Sequence, residues 1–290
     1  MTKARFQAEP ADTEYDVPAG GSLLAEFSMM EWMKRLLGRQ EAPPVRSTEQ
    51  MRNDAIDAGV RAAAEDDPTV FPRVTSGDLF HNFVAAMKDD KGVQMEGMLC
   101  AVGSLAGYTA GRMAAHRVSR MSPAERTKGD YVTLGGPDGA LPLYFGELVN
   151  GPLVQDKYCF WGQFEGHARS LGGTLPDLKA MFQRVTRTIF TEEFGVPRMP
   201  EGRVAPDLPM NYVKHLWPSF SKILTRYSND PAHFPVSWGL TARKLLTDGA
   251  KVIPPGEAVQ ILMECAIPMS KIGPEHVPGM PVVDLFGDKA

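Results

Sequence analysis

The chain has 290 residues, 43% of them hydrophobic and 23% charged, and its 35 acidic and 31 basic residues leave a net charge of −4. That balance excludes wholesale disorder, a collagen-like chain and a low-complexity protein. It also argues against a surface given over to nucleic acid. Residues 1–22 are polar and acidic, with Pro10, Pro18 and Gly20-Gly21, and read as a flexible arm without the apolar stretch of a secretory signal. Residues 23–37, LLAEFSMMEWMKRLL, have the pattern of an amphipathic helix. The helix is expected to end near Gly38, before Pro43-Pro44.

A second helix is predicted from Ser47 or Thr48 to Asp66, because Ser47 followed three residues later by Gln50 has the form of a capping box. Its alanine and charge content places much of it against water. A third helix is predicted over 77–89, with Ser76 as its cap. The fourth, from Val93 to about Met121, carries the most apolar stretch, the 15 residues from Gly97 to Gly111. That is short of the roughly 20 residues a membrane span needs. Gly103, Gly107 and Gly111 recur at i, i+4 and i+8. Glycine costs about 1 kcal/mol against alanine inside a helix, so one glycine face predicts the close approach of another backbone.

Two β-prone runs, 131–134 and 141–145, flank a Gly-Pro-Asp-Gly turn and predict a hairpin, with Pro142 at an edge or strand start. Helices are then predicted over 153–171, 176–194, 207–227, 232–248 and 255–267, with Pro218 kinking or splitting the third of these after Trp217. The whole reads as mainly α: a single multi-helix domain over 23–268, a β-hairpin inserted near 131–146, and an irregular tail over 269–290.

Four strings together carry a resemblance. They are VGSLAGY (102–108), YFGELVNGPL (144–153), DLPMNYVKHLWP (207–218) and AIPMSKI (266–272). The chain resembles an uncharacterised family of soluble bacterial proteins over roughly residues 75–275. The resemblance implies a bacterial, cytoplasmic protein. The family has no established activity, so it transfers no catalytic residue.

No high-specificity motif names a reaction. Phosphate-binding glycine loops, G-x-S-x-G and H-E-x-x-H are all absent. Cys100, Cys159 and Cys265 are odd in number and form no C-x-x-C. Cys100 and Cys265 lie in apolar runs and read as small buried hydrophobes, while aromatic neighbours disfavour Cys159 as a nucleophile. No cofactor or metal is expected. Trp161, Gln163 and His167 form the strongest polar group in an apolar setting, and Gln163 and His167 share a helical face. The plainer alternative is a surface ion pair beside a hydrogen-bonded histidine. Asn211 and His215, just before Pro218, are further pocket candidates, with local capping by Asn211 and a half-buried His215 as the plainer reading. Tyr144 completes the pocket set.

Arg112, His116 and Arg120 line one helical face. Between residues 112 and 128 five basic residues face Glu125 alone, five minus one giving a local +4. Such charges complement a helix C-terminus, or bind an anion. Phe27, Met30, Trp32 and Met33 give helix 23–37 an apolar face suited to docking on its own core or on a partner.

The favoured expectation is a non-enzymatic cytoplasmic interaction protein, a homo-oligomer self-associating through helical surfaces. The alternative is an enzyme or small-ligand-binding protein with an inter-helix pocket that recognises an anionic, phosphorylated ligand. An acidic protein partner fits the basic face, nucleic acid is disfavoured, and no transmembrane segment is expected.

Overall fold

The computed structural model describes residues 47–277, apart from 91, 123 and 126–128. The contact pattern divides the chain after Arg52. Of the first unit, only residues 47–52 are described. They start helix α1, Thr48–Asp66, under the predicted capping box: Gln50 N donates to Ser47 Oγ at 3.1 Å and Ser47 N donates to Gln50 Oε1 at 2.9 Å. α1 has no buried residue, as its composition predicts.

The second unit is mainly α. Helix α2 runs Val70–Met87, beginning seven residues before the predicted start at 77. The cause is an unrecognised local device. Asp67 Oδ1 accepts from both Thr69 N (2.9 Å) and Thr69 Oγ1, and Pro72 occupies the first turn, where a missing N–H costs nothing. Ser76 is therefore interior rather than a cap, and its Oγ donates to Arg73 O at 2.8 Å. α2 stops at Met87 because Lys88–Asp89 (β1) pairs antiparallel with Gly92–Val93 (β2).

Helix α3, Met95–Arg120, is the centre of the core, with every residue from Gly97 to Gly111 buried. Its widest contact is with α9, Pro255–Met269. It also packs on α7, Pro209–Leu224, and α8, His233–Gly249. The predicted close approach is present. A Cβ on Gly103 would lie 2.3 Å from Leu262 O, one on Gly107 2.1 Å from Ala266 O, and one on Gly111 2.7 Å from Ser270 O. The four-residue spacing of the glycines matches that of the carbonyls they meet, so the two helices run in register for two turns. Cys100 and Cys265 are buried within this pairing, and Cys159 is buried elsewhere. All three are free thiols.

The predicted hairpin forms β3, Val132–Leu134, and β4, Leu143–Phe145, with Thr133 opposite Tyr144. A 3-10 turn, Pro137–Gly139, joins them. Pro142 precedes the strand and leaves the ladder intact.

The predicted helix 153–171 is broken into pieces. α4, Glu147–Asn150, runs into a π turn, Gly151–Gln155, closed by Asp156 N on Gly151 O at 2.9 Å. A 3-10 turn, Trp161–Gln163, and a short α5, Glu165–Ser170, follow. Pro152, Gly162 and Gly166 weaken a continuous helix, and Phe160 N is taken by Pro152 O at 2.9 Å. The helix predicted over 176–194 is α6, Leu178–Thr188, capped by Asp177 Oδ1 on Ala180 N at 3.1 Å. It ends early because Ile189 is extended and Phe190 adopts a left-handed φ of 57°.

Pro218 does not split α7. Trp217 meets Tyr108 edge-on at 4.8 Å and Phe220 meets Phe83 at 4.0 Å. Core residues on both sides of the proline keep the backbone helical through the lost hydrogen bond. At the C-terminal end, α9 continues through Pro268 to Met269, and Ser270, Lys271 and Ile272 are buried. This stretch, assigned by sequence to an irregular tail, is core. Among the described residues, no helix is long and apolar enough to cross a membrane.

Candidate functional site: a buried lysine beneath an open cavity

The site is built at the end of α9. Every residue from Ile261 to Met269 is buried, and the chain just past the helix, Ser270 and Lys271, stays inside the core. Lys271 is 2% exposed. Its backbone carbonyl accepts from Tyr144 N at 2.8 Å, which fastens the outer edge of β4 to the end of α9. The hairpin then delivers Phe145. Gly146 follows with φ 117°, where a Cβ would lie 2.4 Å from Asp130 O, so only glycine permits the turn into α4. Asn150, at the junction of α4 and the π turn, accepts from Lys271 Nζ through its Oδ1 at 2.6 Å. π turns of this kind recur at functional sites.

Nζ stands 5.5 Å from the ring centroids of both Phe145 and Phe182, the latter on α6. Among the described residues it has no salt bridge. Burial pushes the ammonium down from the ordinary lysine value to about 7. The side chain borders an open cavity of about 420 Å3 between β4, α4, the π turn and α6. Lys179, exposed on α6, lies on the same wall, and no carboxylate among the described residues lines it. The two titratable groups on this wall are both lysines.

The residues singled out by sequence fall elsewhere: Gln163 and His167 both meet α8, while Asn211 and His215 lie on α7. Tyr144 stacks on Tyr131 at 5.4 Å, and burial with a Glu275 hydrogen bond pushes its hydroxyl up to about 12. Trp161 is buried against Phe164. Gln163 packs on Gly239, where an added Cβ would lie 2.4 Å from its own Cβ. His167 Nε2 lies 2.8 Å from Thr247 Oγ1, tying α5 to α8; burial first and Arg243 second hold its pKa below the usual histidine value. Asn211 donates to Asp207 Oδ1 at 2.7 Å, a local bond, and His215 is exposed. None of these six lines the cavity at Lys271. Phe27, Met30, Trp32 and Met33 lie outside the described residues.

The basic face divides in two. His116 and Arg120 border a cavity of about 360 Å3 that Glu125 and Asp156 also line. Arg112 is absent from that wall and acts instead on Tyr108 and Tyr131, whose hydroxyl pKa values it opposes raising.

Another cavity, of about 680 Å3, has Arg184, Arg187 and Arg198 on its wall. Its polar groups largely bind one another. Arg184 pairs with the buried Glu264, Arg198 N donates to Glu264 at 2.9 Å, and Gln260 donates to Arg198 O at 3.0 Å. This network pins the segment after α6 to α9. Among the described residues, no group of three His, Cys, Asp or Glu side chains has the geometry to hold a metal.

Sequence reasoning missed Lys271, Phe182 and Lys179. The signal was a lysine directly following the long apolar run of α9, and it lay within a string already prominent, 266–272. A second such string, 144–153, supplies Phe145 and Asn150. The chain matches no family model, no curated protein and no solved structure.

Proposed function

We propose that the protein binds a small anionic molecule in the cavity beside Lys271. This is the small-ligand alternative of the sequence reading, moved from the histidine-centred candidates to the end of α9. One observation carries it: a fully buried lysine borders an open cavity without a carboxylate partner among the described residues. An unpaired buried ammonium is costly, and a ligand anion would offset that cost. The volume falls in the range of small-molecule sites, and the wall combines two phenyl rings with a few polar groups. Lys179 adds a second positive charge at the rim, where it suits a carboxylate or phosphate.

Anion binding must couple to protonation. A bound anion favours charged Lys271 and raises its pKa, so affinity strengthens as pH falls through about 7. The test is a thermal-shift screen with small carboxylates and phosphates on the full chain. A ligand at one hundred times its Kd adds about 2.7 kcal/mol. The expected outcome is a shift that grows below neutral pH and is lost in both Lys179→Ala and Lys271→Met. A shift equally present in both variants would move the site away from this cavity.

A further inference from the structure

We propose that Lys271 forms an imine with a small carbonyl compound that also carries a carboxylate, the class of 2-oxo acids and aldehyde acids. The proposal rests on the reading of this cavity as a ligand site and names the chemistry of its ligand.

The geometry supplies each requirement. An amine attacks a carbonyl carbon only when uncharged, because its lone pair must be free. Lys271 Nζ donates one hydrogen to Asn150 Oδ1 at 2.6 Å, between the rings of Phe145 and Phe182. In the neutral amine that bond leaves the lone pair available. Of the elements around the cavity, α6 contributes one charged group, Lys179, while β4, α4 and the π turn contribute none. The burial of Nζ favours the neutral amine. Tyr144, the titratable neighbour on β4, is turned to Glu275 instead.

General acid–base work would need a second group to take up the proton, and no carboxylate among the described residues lines the wall. Imine formation needs only the amine and water. The Nζ lone pair forms a C–N bond as the carbonyl π pair moves to oxygen. The two hydrogens of the amine pass to that oxygen, directly or through solvent. The C–O bond breaks, water leaves, and C=N remains. No electrons are gained or lost overall. Lys179 is placed to hold the ligand's carboxylate and so acts as a positioning residue.

The experiment treats the full chain with glyoxylate and sodium cyanoborohydride, which reduces an imine to a stable secondary amine, and maps the modified lysines by peptide mass spectrometry. Labelling at Lys271 is expected to exceed that at Lys179 by roughly tenfold or more, since an ordinary lysine is almost wholly charged at neutral pH. It is also expected to rise with pH, with its midpoint above the ligand-free value of about 7 because the bound carboxylate favours the ammonium. Mapping the unaltered protein needs no variant to fold. Lys271→Arg, which keeps the charge without a nucleophile, should abolish that label alone. Labels spread over exposed lysines with Lys271 unmodified would overturn the imine.

Glycolate, which has the carboxylate but no carbonyl, separates the two readings. If it raises the melting temperature in a manner dependent on Lys179 while Lys271 stays unlabelled, the cavity binds anions and the imine is wrong. If neither occurs, both are wrong.

Discussion

Two faces of α9 solve opposite packing problems within ten residues. On one, Leu262, Ala266 and Ser270 present backbone carbonyls to Gly103, Gly107 and Gly111, and the contact leaves no room for a side chain. On the other, the apolar run passes the helix end and buries Lys271, a long aliphatic stem with a charge at its tip, beside a cavity. The first face gains stability by removing side chains. The second gives up stability to keep one. An apolar residue in place of Lys271 would fill the space between Phe145 and Phe182 without a desolvation cost. Features that weaken a fold locally are where functional chemistry is expected.

Three substitutions test that contrast. The largest effect belongs to the seam. Gly107→Leu must push two backbones apart where a Cβ alone would lie 2.1 Å from Ala266 O. Overpacking of ordinary cores costs roughly 1–3 kcal/mol, and here no flexible side chain can yield. The expected loss in denaturant unfolding is about 4 kcal/mol or more, at the exceptional end of single substitutions. A loss near zero would mean that the two helices are not in contact.

The second concerns the lysine, and its sign follows from proton linkage. Between pH 7 and 10.5 the unfolded chain holds a proton on Lys271 that the folded chain has released. The unfolded state then binds more protons, so stability rises with pH across that window. Below it both states are protonated and the burial cost is full. Lys271→Met should therefore be more stable than the natural protein in mild acid, with the gap closing by roughly 1 kcal/mol per pH unit above neutrality. A gap independent of pH would show that the site does not titrate as described.

The smallest effect lies outside both faces. Gly77, inside α2, has nothing within 4 Å of an added Cβ. Gly77→Ala should stabilise by about 0.5–1 kcal/mol, the reverse of the result at Gly107. The pair calibrates how much of the seam's demand for glycine is contact rather than propensity.

Much of the fold was legible in the sequence because it rests on local signals. The glycine period foretold a close backbone approach to α3, though not that α9 would make it, Ser47 and Gln50 gave the start of α1, and the turn between 135 and 140 gave the hairpin. The misplaced boundaries came from competing local chemistry: the Asp67–Thr69 bonds that start α2 early, the extended Ile189 that ends α6, and the π turn after Asn150. Pro218 broke nothing because Trp217 and Phe220 are anchored by distant rings.

The candidate site was far less legible. Histidine, tryptophan and arginine drew attention as chemically expressive residues, yet His167 and Asn211 are satisfied by neighbours and His215 faces solvent. Lys271 acquires its character from Asn150, 121 positions away in sequence, and from Phe145 and Phe182. No local pattern encodes that convergence. Only the long apolar run of α9 hinted that this lysine could not reach water.

The central claim is that Lys271 is buried, without a salt bridge among the described residues, and poised to shed its proton near neutrality. It is tested most directly by NMR titration of the lysine Cε and Nζ signals in the folded protein, with Lys271→Arg assigning the resonance. One lysine titrating at about 7 is the predicted result, and a Lys271 signal titrating near the ordinary 10.5 would contradict it.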